Sequence, residues 1–166
     1  MAALGTAVER ALIEEASRKS ALVWVRGPAG PARALWHVWH EGAVWLLGGP
    51  GEQPLDGLGL AEGGTATVTC RSKDQGGRLV AWPARVREPA PGSAEWAAAV
   101  AALAAARLNA AEADAEALAA RWARECRVLC LEPAGPPGQA PGRMPADGAA
   151  APPLPSPATT RTARRR

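Results

Sequence analysis

The spacing of apolar residues changes several times along the chain, and each change marks an element. In residues 4–17, LGTAVERALIEEAS, Val8, Leu12, Ile13 and Ala16 fall on one helical stripe, and Thr6 with Glu9 has capping-box spacing, which predicts an amphipathic helix. SALVWVR (20–26), RALWHVWH (33–40) and AVWLLG (43–48) are short runs rich in β-branched and aromatic residues. GPAGPA and Glu41-Gly42 separate them, so they read as an antiparallel meander. TATVTCRSK (65–73) alternates, with Ala66, Val68 and Cys70 on one face and Thr65, Thr67, Thr69 and Arg71 on the other, the pattern of a strand with one wet face. After the turn DQGG, RLVAWPARVRE (78–88) answers it with Val80, Trp82, Ala84 and Val86 inward. Pro83 has no ladder donor, so an edge strand or a bulge is expected there.

Helical spacing returns in PGSAEWAAAVAALAAARL (91–108), with Ser93 as N-cap and Trp96, Val100 and Leu103 as its stripe. A shorter helix is expected around residues 114–122, and ECRVLCLE (125–132) is the last strand. Between the third and fourth strands, GGPGEQPLDGLGLAEGG (48–64) reads as a glycine-rich acidic loop without a basic residue. This order predicts a mainly β, α+β domain over residues 1–132, in which an antiparallel sheet gains a late strand across a helical crossover and closes into a small barrel. Residues 133–166 hold nine of the sixteen prolines and almost no large apolar side chain, and are expected to be a disordered tail.

Charge sharpens that division. Residues 1–132 carry fourteen Lys and Arg against fifteen Asp and Glu, whereas residues 133–166 carry five against one. The globular part is near neutral, so nucleic acid is not an expected partner beyond weak, salt-dependent contact by the terminal RTARRR. No run is long and apolar enough for a membrane span, and no basic-then-apolar leader opens the chain, which predicts a cytoplasmic protein without a membrane partner. Cys70, Cys126 and Cys130 lie in apolar runs and read as buried, reduced thiols.

The two histidines, His37 and His40, stand three apart on a predicted strand and therefore on opposite faces, so no metal site is expected. The chain has neither a Gly-x-Ser-x-Gly elbow nor a Gly-Lys-Ser/Thr phosphate loop, and Glu14-Glu15 diverge on the first helix. No catalytic residue is identified, and any redox chemistry would come from a cofactor. Seven tryptophans without Phe or Tyr, five of them in predicted strands, suit a large apolar core or a planar guest.

The hairpin ALWHVWHEGAVWLL, the glycine-rich loop after it, the strand TVTCRSK, the turn GG and the strand RLVAWPARVRE resemble the flavin-binding split-barrel family that includes pyridoxamine 5'-phosphate oxidase. The resemblance spans residues 6–132 and rests on element order and the strand-EG-strand hairpin. It implies a six-stranded antiparallel split barrel, a homodimer, and FMN or the deazaflavin F420 bound in clefts at the dimer interface. It also implies a small-molecule substrate that is oxidised or reduced, although some members bind other cofactors or none. On this resemblance Leu35, Trp36, His37 and Val38 would lie along the flavin ring, in a pocket lined by Trp36, His37 and Trp39 or their neighbours.

The loop that commonly supplies phosphate-binding cations in the family offers only carboxylates here, which would repel a dianion. The nearest replacement is Arg71, Ser72 and Lys73, a triplet that also reads as a solvated strand end. Arg33 is a further candidate. A rival reading therefore keeps the barrel as a cofactor-free binding or interaction module.

Overall fold

The computed structural model describes residues 6–72, 78–107 and 114–138. Helix α1 (Ala7–Lys19) starts where its cap predicts: the Glu9 amide donates to Thr6 Oγ1 at 3.3 Å, and the Thr6 amide donates to Glu9 Oε2 at 2.8 Å. Two of the amides that every helix start leaves open are thereby satisfied. Ile13, Ala16 and Ser17 are buried, but Val8 is 78 % exposed, because the helix meets the barrel only beyond its first turn.

Seven strands follow: β1 (Leu22–Arg26), β2 (Arg33–Trp36), β3 (Val38–His40), β4 (Ala43–Gly48), β5 (Thr65–Ser72), β6 (Arg78–Arg87) and β7 (Arg127–Pro133). They pair antiparallel in the order β2-β1-β5-β6-β7-β4-β3. β2 and β3 are the two halves of one predicted strand, interrupted at His37. The first half pairs with β1, Trp36 opposite Leu22, and the second with β4, Val38 opposite Trp45. One bent strand thus supplies both ends of the sheet, and the six strand paths form a nearly closed barrel.

At the break a side chain replaces the missing ladder. The Trp36 amide donates to Gln53 Oε1 at 2.9 Å, and Gln53 Nε2 donates to the Trp36 carbonyl at 2.8 Å, so a primary amide offers what a neighbouring strand would. The β3–β4 hairpin turns through Glu41 and Gly42, both at positive φ (47° and 78°), the type I′ geometry that matches strand twist and explains the Glu-Gly.

β6 corrects the expectation of an edge strand or bulge at Pro83. It pairs with β5 from Arg78 to Arg85 and with β7 from Ala84 to Arg87. The Pro83 carbonyl, which points the same way as its missing N–H, accepts from the Ala134 amide at 2.8 Å, just past the end of β7. The absent donor therefore falls where the β6–β7 ladder stops, and a proline is tolerated in an interior strand.

The barrel is filled and stoppered. Val23, Val25, Val44, Leu46, Val68, Trp82, Val86, Leu129 and Leu131 meet inside it, and α1 inserts Ile13 and Ala16 among them. The acidic loop 49–64 also contributes: Leu55, Leu58 and Leu60 are buried in the same cluster, so the loop acts as a plug. A Cβ on Gly27 would lie 1.9 Å from the Leu58 carbonyl oxygen, so only glycine lets the plug approach β1 this closely.

Helices α2 (Ala94–Ala106) and α3 (Ala115–Glu125), capped by Ser93 and Asp114, lie outside the barrel. Their Trp96, Val100, Leu103, Leu118 and Trp122 pack on Trp45, Leu47, Val128 and Cys130, the outward residues of β4 and β7. No helix among the described residues is long and apolar enough to cross a membrane.

Candidate functional site

α2 and α3 cover the β7–β4–β3 side, and no helix among the described residues lies on the outer face of β1, β5 and β6. Alternation on β1 sends Val23 and Val25 inward and leaves Leu22 and Trp24 outside, 51 % and 53 % exposed. The register sets Trp24 between Ala34 and Thr69, Thr69 opposite Ala81, and Thr67 between Arg26 and Pro83. A groove of about 660 Å³ runs over the two threonines. Trp24, Arg26 and Ala32 form one wall.

The other wall holds Pro83, Pro136 and Gly138. Residues 134–138, expected at the start of the tail, follow β6: the Ala134 amide donates to the Pro83 carbonyl and the Gly138 amide to the Ala81 carbonyl, each at 2.8 Å. An exposed indole, two hydroxyls that donate or accept, and one guanidinium make a surface suited to a flat, largely apolar ligand with few polar atoms and an anionic end. The outward alternation of Trp24 with Arg26 was the available signal for it, yet a compact apolar strand does not by itself show which face stays uncovered.

The residues expected at the site are dispersed. Leu35 is buried inside the barrel. Arg33 Nη1 donates to the Pro54 carbonyl at 3.3 Å and so anchors the plug. Trp36 and Val38 pack toward the helix layer, while Trp39 packs into the barrel, so Trp36 and Trp39 do not share a pocket. Trp36 and His37 do come together, with Ala21, Ala106 and Arg107, around a cleft of about 310 Å³. Arg71 is exposed on the face of β5 that also carries Thr67 and Thr69. Ser72 ends β5 opposite Arg78; its side chain, and Lys73, lie outside the described residues.

His37 is held as a neutral base. Its Nε2–H donates to the Ser17 carbonyl at 2.7 Å, Nδ1 is enclosed without a partner, and burial lowers the pKa despite the bond to Ser17. Leu35 and Trp39 face the barrel while Trp36 and Val38 face the helices, so alternation survives the bend and keeps His37 and His40 on opposite faces. No cluster of metal-ligating side chains occurs among the described residues.

The loop's carboxylates are occupied internally. Glu52, whose side chain is 1 % exposed, accepts from Arg107 Nε and Arg121 Nη2, both at 2.8 Å, and from Trp122 Nε1 at 3.1 Å. Glu62 accepts from the Glu88 amide. None of the three cysteines is in a disulfide. Burial pushes Cys130 up to about 12 and raises Cys70 as well, so neither of these is a thiolate nucleophile at neutral pH.

No protein-family model matches the chain, and no curated protein matches its sequence. Two solved structures resemble it. HutZ, the heme storage protein from Vibrio cholerae, has a TM-score of 0.51 at 10 % identity, covering 76 % of this chain and 92 % of that one. The conserved hypothetical protein Rv2991 from Mycobacterium tuberculosis also gives 0.51, at 12 % identity, over 79 % and 82 % of the two chains. At such identities the likeness is one of fold, and it agrees with the sheet order in giving this chain a nearly closed, antiparallel, split-barrel-like architecture.

Proposed function

We propose that the protein binds a flat cofactor with an anionic end in the groove over Thr67 and Thr69, its ring system lying against Trp24. FMN, or the deazaflavin F420, has this chemistry, and either would supply hydride transfer to or from a small organic substrate. The reading includes a homodimer in which a second copy covers this face, and a cytoplasmic setting, which accords with three cysteines outside any disulfide. The observation that carries it is the exposed Trp24 beside hydroxyls and a guanidinium, on the half of the barrel that no described helix covers.

Arg26, which lines the groove, and Arg71, exposed on the face of β5 that carries Thr67 and Thr69, are the cations assigned to a phosphate, and Ser72 and Lys73 follow Arg71 in the sequence. Heme, which HutZ stores, fits less well, since none of the described residues lining the groove is a histidine, cysteine or methionine able to hold iron.

The test is the absorbance spectrum of the purified protein together with titration by FMN. Trp24→Ala should weaken FMN binding by roughly 10- to 100-fold, the usual range for loss of one stacking platform. Colourless protein that ignores both FMN and F420 favours the second reading, a cofactor-free interaction module. The acidic loop supports that alternative, because it has no cation to offer a phosphate.

A further inference from the structure

The bend between β2 and β3 leaves a second concave site, apart from the groove over Thr67 and Thr69. Trp36 and His37 are consecutive residues, which a straight strand sends to opposite faces. Here both line one cleft of about 310 Å³, with Ala21 just before β1 and Ala106 and Arg107 at the end of α2. None of these five residues lines the groove.

The three larger members of the cleft are each fixed by a contact of their own. The Trp36 amide and carbonyl both bond to the Gln53 side chain, at 2.9 and 2.8 Å. Arg107 Nε donates at 2.8 Å to Glu52, the residue before Gln53, whose side chain is almost fully buried. His37 Nε2–H donates to the Ser17 carbonyl at 2.7 Å. Two neighbouring residues of the plug thus set the cation and the indole of one cleft, so a ligand meets them without first having to order them. Burial favours the neutral imidazole, which leaves Arg107 as the one cation among the lining residues, and no carboxylate is among them.

Volume limits the ligand as charge does. A cleft of about 310 Å³ lies at the small end of the span of ligand pockets and takes one ring with its substituent, not a flavin nucleotide.

We propose that this cleft binds a small aromatic monocarboxylate, its ring against the Trp36 indole and its carboxylate toward the Arg107 guanidinium. Indole and imidazole offer flat, largely apolar walls, and a planar guanidinium matches a planar carboxylate. The cleft needs no occupant in the groove, so the site stands apart from the cofactor reading.

The probe is benzoate, with benzamide as its uncharged match, titrated into the full-length chain and followed through the indole N–H signals in proton–nitrogen NMR spectra. Trp36→Leu and Trp24→Leu identify two of those signals by their loss. Benzoate should bind at roughly millimolar concentration or tighter and shift the Trp36 signal more than the Trp24 signal. It should bind about tenfold tighter than benzamide, as one charge-assisted contact gives, and Arg107→Gln should remove that preference. Trp36→Leu should weaken both probes alike. Absence of benzoate binding, equal affinities for the two probes, or a shift concentrated on the Trp24 signal overturns the proposal, and the last outcome places the anion in the groove. An Arg107→Gln chain with natural far-ultraviolet ellipticity and an intact preference overturns it too. Should Arg107→Gln fail to fold, the natural chain's own shifts and probe preference still decide.

Discussion

His37 and Glu52 carry the protein's most consequential buried polar contacts. His37 is protonated less readily in the fold than in the unfolded chain because burial penalises the imidazolium. Between its lowered pKa and the ordinary value of about 6.5, the unfolded chain binds a proton that the folded one does not. The contribution of His37 to stability is therefore complete above the ordinary value and declines as pH falls through that window. Urea midpoints at pH 7.5 and 5.5 should differ more for the natural protein than for His37→Gln, and equal differences would refute the assignment. Glu52 joins Arg107, Arg121 and Trp122 from a nearly fully buried position. Glu52→Ala leaves those donors poorly matched and should cost on the order of 3 kcal/mol in denaturant unfolding. Capping, alternation and the Glu-Gly turn were legible residue by residue, because each is a local contact between near neighbours. The partners of His37 and Glu52 were not, because Ser17 lies 20 positions from the first and Arg121 lies 69 from the second.

Elements were recognised by period, and the structure adds to or departs from the expectation where period is uninformative. Loop 48–64 has no regular spacing, so Leu55, Leu58 and Leu60 gave no sign that they stopper the barrel. Leu58→Ala should destabilise by about 2–5 kcal/mol, the range for an emptied core site, whereas Leu22→Ala on the bare face should stay within about 0.5 kcal/mol. Thermal or chemical unfolding of the two variants side by side checks this, and similar costs would mean that the loop does not act as a plug. Pro83 misled for a related reason. A missing donor rules out a continued ladder on one side of a residue, but which side, and whether a partner strand extends that far, depends on where β7 ends. The single strand 33–40 likewise became β2 and β3 because closing a six-stranded ring requires a bend, and Gln53 makes that bend affordable in hydrogen bonds.

For the molecule as a whole, the uneven cover of the barrel matters most. Helices shield one half, and the other presents Leu22, Trp24 and the threonine-floored groove. If a second copy covers that face, Leu22→Glu with Trp24→Glu should shift sedimentation from dimer to monomer without loss of far-ultraviolet ellipticity; an unchanged association state would place any dimer contact elsewhere. Strand and helix identity, their order and the inward half of each strand followed from alternation and caps, since those depend on a residue and its neighbours within a turn or two. Which outward half is bare, which loop enters the core and which cations face the groove followed only from packing. Those outcomes depend on contacts between residues tens of positions apart, and no local spacing encodes where α2 and α3 come to rest.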